Sequence, residues 1–152
     1  MSVLSAQSIR RMALKHGMIS PFRERHGEHT RLSGGLSPAA YDCHTTHRVV
    51  LKPRQSALAV TVERFVMPYN LQAEIKDKSS WARNFVSAYN TVMDPGFRGW
   101  LTIELTNNTD FTIIFEEGDP VCKLVFYWLD EDTEMPYVGK YQDQPPEPVG
   151  PR

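Results

Sequence analysis

Apolar and polar residues alternate along short runs from residue 47 onward, and turn-forming residues separate these runs. A period of two residues predicts strands that bury one face, and the runs are rich in Val, Ile, Thr and aromatic residues. Many short strands after one early helix favour an all-β sandwich or barrel. We therefore predict strands over residues 47–52, 57–66, 71–76, 99–106, 111–116 and 121–129.

The pattern near the N-terminus predicts a short helix over residues 5–16. Ser5 has the side chain of a helix cap, whose oxygen accepts a hydrogen bond from a backbone N–H of the first turn. Leu4 and Ile9 have the spacing of a hydrophobic staple around that cap. Gly17 supplies the left-handed residue that commonly ends a helix.

Two connecting segments stand out between these elements. Pro and Gly residues punctuate a polar stretch over residues 20–40, which predicts a loop. Residues 116–120 read Glu-Glu-Gly-Asp-Pro, and we expect them to join strand residues 112–115 and 121–126 as a hairpin.

The chain of 152 residues fits one domain, which we place at residues 1–144. Residues 145–152 are rich in proline and lack a core-forming pattern, so we expect a flexible tail. Two cysteines, Cys43 and Cys122, provide no disulfide framework and favour a reducing, cytoplasmic environment. No apolar run is long enough for a membrane span, and no signal peptide is apparent, so we expect no membrane partner.

The formal net charge of −1 argues against a general nucleic-acid binder, because such proteins carry a surplus of basic residues. The charges are nevertheless uneven. Residues 1–31 contain six Lys and Arg against two acids, whereas residues 104–152 contain eleven acids against three Lys and Arg. The basic first segment suits an anionic ligand, and a solvated surface gives the same pattern.

The segment Lys78-Ser79-Ser80-Trp81-Ala82-Arg83 combines two hydroxyls with two flanking cations near the end of a predicted strand. Cations and hydroxyl donors together suit a phosphate. A capped helical turn with solvated charges has the same composition, and on this segment alone that reading is favoured.

Two further candidates follow. Asp94-Pro95-Gly96 is a turn signal, and Phe97 beside it could lie against a ring or a sugar. Glu104 lies in an apolar strand, where alternation places it on one face with Thr102 and Thr106. That face is either solvated or part of a pocket. In a pocket, burial would raise the pKa of Glu104 and suit it to proton transfer near neutral pH.

The stretch 136–144 mixes aromatic residues, a cation and amides before the tail, as a surface loop also does. His44 and His47 have a spacing found in metal sites, but on a strand they point to opposite faces, so we expect no metal site there. The zinc-deaminase signature of H-x-E with a later P-C-x-x-C is absent, so any deamination here is expected to proceed without zinc.

Taken in order, these segments resemble the dCTP deaminase and dUTPase family. The N-terminal helix followed by Ile19-Ser20-Pro21-Phe22 resembles deaminases more than plain dUTPases. The resemblance covers nearly the whole chain. It rests on Ser37 to Asp42 (an early strand motif), on Lys78 to Arg83 (similar to R-S-S-x-A-R), on Asp94 to Gly99 (similar to D-P-G-aromatic-x-G), on Gly118-Asp119 before Leu124 to Phe126, and on Gly139 to Gln144 (similar to G-K-Y-x-x-Q).

The resemblance implies a distorted jelly-roll or β-barrel of the dUTPase-like type with a short N-terminal helix. It also implies a homotrimer with deoxynucleotide sites between subunits. Magnesium is implied as a partner of the triphosphate rather than of a protein cage. No zinc and no metal ligand of the protein itself are expected.

Carried over by position, Ser79 and Ser80 would hold phosphate oxygens, and Lys78 would support them. Asp94 would accept a hydrogen bond from the sugar 3′-hydroxyl, and Phe97 would pack on the deoxyribose. A ribose 2′-hydroxyl would then fit poorly.

Lys140, Tyr141 and Gln144 would close over the triphosphate. Glu104 matches the catalytic glutamate of dCTP deaminases, which takes a proton from the water that attacks C4 of cytosine. Arg83 would position Glu104 and that water. This set implies the conversion of dCTP to dUTP and ammonia.

The chain departs from the family pattern at several positions. Lys78 stands where the family has Arg, and Lys lacks the bidentate fork of a guanidinium. The stretch between Arg83 and Asp94 is two residues shorter than usual. Residues 87–92 should form the base-reading hairpin, and its Asn90 and Thr91 replace residues that help deaminases exclude uracil.

Two other functions stay open. One is a diphosphatase acting on dUTP, or a bifunctional enzyme that converts dCTP to dUMP and pyrophosphate. The other is a catalytically silent interaction protein on the same scaffold. Glu104 favours deamination over the first, and the combined site residues argue against the second.

Overall fold

The computed structural model describes residues 2–27 and 32–152. One eleven-residue helix near the N-terminus precedes most of the strands, and a single short helical turn interrupts them later. In chain order the elements are β1 (Ser2–Val3), α1 (Ala6–His16), β2 (Ile19–Ser20), β3 (Gly35–Ser37), β4 (Ala40–His44), β5 (Val49–Leu51), β6 (Ser56–Val66), β7 (Leu71–Asp77), α2 (Ser79–Ala82), β8 (Val86–Ala88), β9 (Val92–Met93), β10 (Arg98–Asn107), β11 (Ile113–Phe115) and β12 (Pro120–Trp128).

These strands form three antiparallel sheets in the described residues. The largest has the order β3-β4-β12-β7-β9, with β1 also paired to β12. The second has the order β2-β6-β10-β8, and β5 pairs with β11 in the third. The first two sheets meet where Thr45 bridges to Thr61. The predicted all-β barrel with a short N-terminal helix is confirmed.

The helix α1 begins and ends near its predicted bounds, and Leu4 and Ile9 are both buried as a staple requires. Gly17 ends the helix with φ of 66°. The predicted role of Ser5 is wrong in one respect. Ser5 occupies the cap position, but its hydroxyl contacts the Ser8 hydroxyl at 3.3 Å and accepts no hydrogen bond from a backbone N–H.

All six predicted strands form, as β5, β6, β7, β10, β11 and β12. Four strands of the N-terminal half, β1 to β4, were not predicted from alternation, and β3 and β4 show why. β3 begins with a glycine and lies inside the stretch 20–40 that reads as a loop. All five residues of β4 are buried, and two of them, Asp42 and His44, are polar.

The predicted hairpin over residues 112–126 is wrong. The turn itself forms, with the backbone N–H of Asp119 bonded to the carbonyl of Glu116 at 3.0 Å. However, β11 pairs with β5, and β12 pairs with β4 and β7. Thr45 explains the separation, because its backbone bonds both Gly118 and Asp119 and so directs the chain onto β4.

The hairpin expected over residues 87–92 is also not formed within this chain. β8 pairs with β10, whereas β9 pairs with β7. Asn90 and Thr91 therefore lie in a link between two sheets.

Across residues 2–27 and 32–152, no helix has the length and apolar character needed to cross a membrane.

Candidate active site

A cavity of about 600 Å³ lies against one face of β10, and we call it the β10 pocket. Its walls carry apolar side chains from β6, β7 and β9, including Leu58, Ile75 and Val92. Pockets that bind small molecules typically combine such apolar walls with a few polar groups. The predicted site residues that line it are Thr91, Asp94, Phe97, Glu104, Lys140, Tyr141 and Gln144.

The strand β10 positions Glu104 by strict alternation. Leu101, Ile103 and Leu105 are buried in the core, whereas Thr102 and Glu104 are half-buried on the opposite face. That face lines the pocket. Of the two alternatives for Glu104, a solvated face or a pocket, the structure has the pocket. Within the described chain, the Glu104 carboxylate has no hydrogen-bond or ion-pair partner.

The turn before β10 positions Asp94 and Phe97. The backbone N–H of Phe97 donates to the carbonyl of Asp94 at 3.1 Å, and Gly96 donates to Met67. The Asp94 side chain is exposed and makes no hydrogen bond to the described residues. Phe97 is buried, and its ring meets the Tyr137 ring edge-on at 5.9 Å. The turn therefore presents a free carboxylate beside a fixed aromatic ring.

Residues 137–144, which we call the C-terminal arm, dock on the open edge of β10. The Asp143 N–H donates to the Arg98 carbonyl at 2.8 Å, and the Trp100 N–H donates to Gln144 at 3.3 Å. Gln144 thereby forms a parallel bridge with Gly99. The arm reaches this edge because β8 covers only the far end of β10, from Leu105 onward.

Side chains reinforce this docking. Gln142 accepts a hydrogen bond from the Arg98 N–H at 2.7 Å and donates to the Gly96 carbonyl at 2.9 Å. The Arg98 guanidinium donates to both carboxylate oxygens of Asp143, at 3.2 and 3.0 Å. The hydrogen bond from Arg98 lowers the pKa of Asp143. Gln142 and Arg98 were not predicted as site residues, although both lie within motifs that carry the family resemblance.

Beyond the arm, the chain returns to the pocket. The Val149 N–H donates to the Thr102 hydroxyl at 3.0 Å, and residues 149–151 line the pocket. Lys140 donates to the carbonyl of Arg152, whose own N–H lies 3.4 Å from the Tyr141 hydroxyl. Lys140 and Tyr141 thus face the pocket beside residues of the tail.

The serine turn, residues 79–82, lies on another part of the molecule. Trp81 anchors it, because its indole N–H donates to the Pro120 carbonyl at 2.7 Å and its ring packs on Phe115. Ser79 is exposed and Ser80 is half-buried. Neither hydroxyl is hydrogen-bonded within the described residues, so both can serve a ligand.

Lys78 does not face solvent beside these serines. Only 4% of the residue is exposed, and its Nζ lies 3.2 Å from Oδ2 of the buried Asp42. Lys123 approaches the other oxygen of Asp42 at 3.2 Å. Lys78 thus directly precedes the serine turn, and its side chain is held in an ion cluster. In this position its backbone can fix the turn.

Arg83 lines a different groove, of about 390 Å³, with Phe85 and Phe111. These two phenylalanines are 71% and 75% exposed, which is unusual for aromatic side chains.

A single chain thus gathers the pocket residues but does not bring Lys78, Ser79, Ser80 or Arg83 to them. Asn90 is exposed next to Thr91 and does not line the pocket.

A buried polar cluster that was not predicted from the sequence lies between β4 and β6. Glu63, fully buried, accepts hydrogen bonds from His44 Nδ1 at 2.5 Å and from the Tyr41 hydroxyl at 3.2 Å. His44 Nε2 lies 2.8 Å from His26 Nε2. Burial raises the pKa of Tyr41, and the neighbouring Glu63 adds to the effect. A glutamate within the apolar run of β6 was the available signal.

Among residues 2–27 and 32–152, no group of three or more His, Cys, Asp and Glu side chains is arranged to hold a metal ion. Cys43 and Cys122 face each other across β4 and β12 as free, buried thiols. Burial raises the pKa of Cys43, which keeps it in the thiol form.

Comparison with known proteins identifies the family of this chain. The family model described as dCTP deaminase-like matches residues 39–129. A dCTP deaminase of Pseudomonas putida is 32% identical over 95% of this chain and 96% of its own length. A dCTP deaminase of Granulibacter bethesdensis is 30% identical with the same coverage of both chains.

Solved structures agree on the fold. The dUTPase from phage phi11 of Staphylococcus aureus superposes with a TM-score of 0.59 at 17% identity, covering 79% of this chain and 92% of that chain. The dUTPase of Staphylococcus bacteriophage 80alpha gives 0.58 at 16% identity, covering 82% and 94%. Since the family model spans more than half of the sequence and the curated relatives align along nearly all of it, the chain belongs to the dCTP deaminase-like family.

Proposed function

We propose that this protein hydrolyses the exocyclic amine of dCTP, producing dUTP and ammonia without zinc. The observation that carries the proposal is Glu104. Its carboxylate has no partner in the described chain and lines an apolar-walled pocket together with Asp94 and Phe97. A carboxylate free of hydrogen bonds can exchange protons with a bound substrate, and membership of the family indicates the substrate class.

The reaction needs three proton transfers, and one carboxylate can serve all of them. Glu104 takes a proton from water, and the resulting hydroxide adds to C4 of the cytosine ring. Glu104 delivers that proton to N3, which relieves the charge that develops on the ring. It then moves the proton of the new hydroxyl to the amino group. The C4–N bond breaks, ammonia leaves, and the C4 carbonyl of dUTP remains.

Other pocket residues would hold the sugar. The exposed carboxylate of Asp94 would accept a hydrogen bond from the 3′-hydroxyl of the deoxyribose. The buried ring of Phe97, held by Tyr137, would pack against the sugar and leave little room for a 2′-hydroxyl. Thr91, which lines the pocket from the link between β8 and β9, would face the base.

A second copy of the chain would complete the site. Ser79, Ser80 and Arg83 lie away from the β10 pocket of their own chain, on a surface with exposed aromatic residues. We propose a homotrimer in which this surface meets the pocket of a neighbour. The two serine hydroxyls would then bind phosphate oxygens, and Arg83 would orient Glu104 and the water.

Magnesium would arrive with the triphosphate. Mg²⁺ prefers phosphate oxygens and water, with few protein ligands. The groups proposed to face the phosphates are hydroxyls and the Lys140 cation, and none of them is a carboxylate. Such a set suits a metal ion that is held by the nucleotide rather than by the protein. When bound, the ion would neutralise part of the phosphate charge. Lys140 and Tyr141 would cover the triphosphate from the C-terminal arm.

The test is to incubate purified protein with dCTP and Mg²⁺, and separately with dUTP and Mg²⁺, and to resolve products by chromatography. We expect equal amounts of dUTP and ammonia from dCTP, and no reaction of dUTP. Pyrophosphate and dUMP from dUTP alone would contradict the proposal. Pyrophosphate from both nucleotides would mean that the enzyme carries the reaction past dUTP. An absence of product from either would overturn the proposed activity.

A further inference from the structure

The tail, residues 145–152, lies against the β10 pocket at two points. At the first of them, the Val149 N–H donates to the Thr102 hydroxyl at 3.0 Å. Thr102 lies on the pocket face of β10, two residues before Glu104. Residues 149–151 line the pocket from there. The tail thus crosses the pocket close to the carboxylate that is proposed to transfer protons.

The second contact uses the two groups that are proposed to cover the triphosphate. The Lys140 side chain donates to the Arg152 carbonyl, and the Arg152 N–H lies 3.4 Å from the Tyr141 hydroxyl. The Arg152 guanidinium donates in turn to the Lys140 carbonyl at 3.4 Å. A nucleotide that binds Lys140 and Tyr141 through its phosphates therefore competes with the tail for both groups.

These contacts are few, so a ligand can replace them. Four of the eight tail residues are prolines, which have no N–H to donate. Val149 is half-buried, whereas most of the tail is exposed. The Lys140 ammonium meets a neutral carbonyl of the tail, and a charged phosphate oxygen accepts a stronger hydrogen bond from the same group. A triphosphate can therefore displace the tail from Lys140.

The tail can leave the pocket while the C-terminal arm stays docked. Gln144 is fixed beside Gly99, and Thr102 lies three residues further along β10, which is about 10 Å of strand. The five-residue step from Gln144 to Val149 can span about 17 Å when it is extended. This segment is longer than the distance it covers, so its release requires no movement of the arm.

We propose that residues 149–152 are an autoinhibitory segment, which lies in the β10 pocket of the free protein and must leave it before the triphosphate binds. The inference rests on the proposed function and adds a regulatory step to the same site. The apparent dissociation constant of dCTP then equals the intrinsic constant divided by the fraction of molecules whose tail is released. A tail that instead covered the bound nucleotide would have the opposite effect, because loss of its contacts would weaken dCTP binding.

The test is Val149→Pro, because proline lacks the N–H that donates to the Thr102 hydroxyl. We expect dCTP to bind about 3- to 10-fold more tightly in calorimetry, since loss of one hydrogen bond shifts the tail equilibrium by about that factor. Val149→Thr is the matched control. It keeps the N–H and the branched shape of the side chain, and it should bind dCTP like the wild type.

Two results would overturn the inference. One is equal dCTP affinity of Val149→Pro and the wild type, which would mean that the tail does not compete with the substrate. The other is weaker binding by Val149→Pro, which is the effect expected of a tail that covers the nucleotide.

A spin label on Glu147→Cys reports the position of the tail directly. Glu147 is exposed, whereas Cys43 and Cys122 are fully buried, so the label attaches at position 147. The label is placed in a Glu104→Gln chain, which should hold dCTP without converting it. We expect saturating dCTP to increase the mobility of the label as the tail leaves. A decrease in mobility would mean that the tail closes on the substrate, and it would overturn the inference.

The affinities also separate this inference from the proposed function. If the wild type binds dCTP without converting it, the proposed function fails, and the comparison of Val149→Pro with Val149→Thr still decides the role of the tail. If neither the wild type nor Val149→Pro binds dCTP, both proposals fail.

Discussion

Two glutamates illustrate what single residues reveal before a structure is known. Glu104 and Glu63 both interrupt apolar strands. Glu104 lines the β10 pocket with no hydrogen-bond partner among the residues that the structure describes, whereas Glu63 is fully buried and accepts hydrogen bonds from His44 and Tyr41. Alternation predicted the pocket face of Glu104 as one alternative. It could not distinguish the two roles, because the partners of Glu63 come from residues about twenty positions away.

His26 gives a prediction at the same scale. Burial, followed by the neighbouring His44 and Arg23, lowers the pKa of His26 below its usual 6.5, although Glu63 and Asp42 act in the opposite direction. Below pH 6.5 the unfolded chain takes up a proton that the folded chain resists. The contribution of His26 to stability is therefore complete above that pH and is lost as the pH falls towards the lower folded-state pKa.

We expect His26→Gln to lose less stability than the wild type between about pH 7 and 5, because Gln keeps a polar side chain but does not titrate there. Thermal unfolding of both proteins across this range measures the difference. Parallel curves of melting temperature against pH would contradict the assignment of the shift to His26.

At the scale of elements, long alternating strands were predictable, and their partners were not. β6 and β10 were predicted to within one residue at each end because a core on one side imposes the period of two. The turn at residues 116–120 was also recognised. Local composition could not reveal that Thr45 binds this turn and separates β11 from β12, since that contact joins segments over seventy residues apart.

The docking of the C-terminal arm was likewise not predicted from the pattern of apolar and polar residues. This docking depends on Gly99. Gly99 has φ of 134°, and a Cβ atom there would lie 2.7 Å from the backbone nitrogen of Gln144. Gly99→Ala should therefore displace the arm and destabilise the fold by about 1–3 kcal/mol through backbone strain. Hydrogen exchange at residues 142–144 should become faster, and thermal unfolding should report the strain.

Gly118→Ala provides the control. Gly118 also has a positive φ, 82°, but a Cβ atom there meets nothing within 4 Å. This variant should lose stability through strain and keep slow exchange in the arm. Equally slow exchange in Gly99→Ala would mean that the arm does not need the close approach at Gly99.

At the scale of the whole molecule, the proposed site is shared between two copies of the chain. One chain brings Asp94, Phe97 and Glu104 into the pocket and leaves the serine turn and Arg83 elsewhere. All of these residues were predicted from the order of the motifs along the chain, because the family resemblance can be recognised in the sequence alone. Their distribution over two surfaces follows from the sheets, since α2 extends from β7 while Glu104 lies on β10. No local pattern encodes that separation.

The central claim is that the pocket of one copy and the Arg83 surface of another form one dCTP deaminase site. The most direct measurement is dUTP formation from dCTP by co-purified mixtures of Arg83→Ala and Glu104→Gln chains, each carrying a different tag. Each variant alone should be nearly inactive. Each mixed cyclic trimer, selected through both tags, has one site of three with both intact residues, so about a third of wild-type activity should return. Mixed oligomers as inactive as the parents would contradict the account.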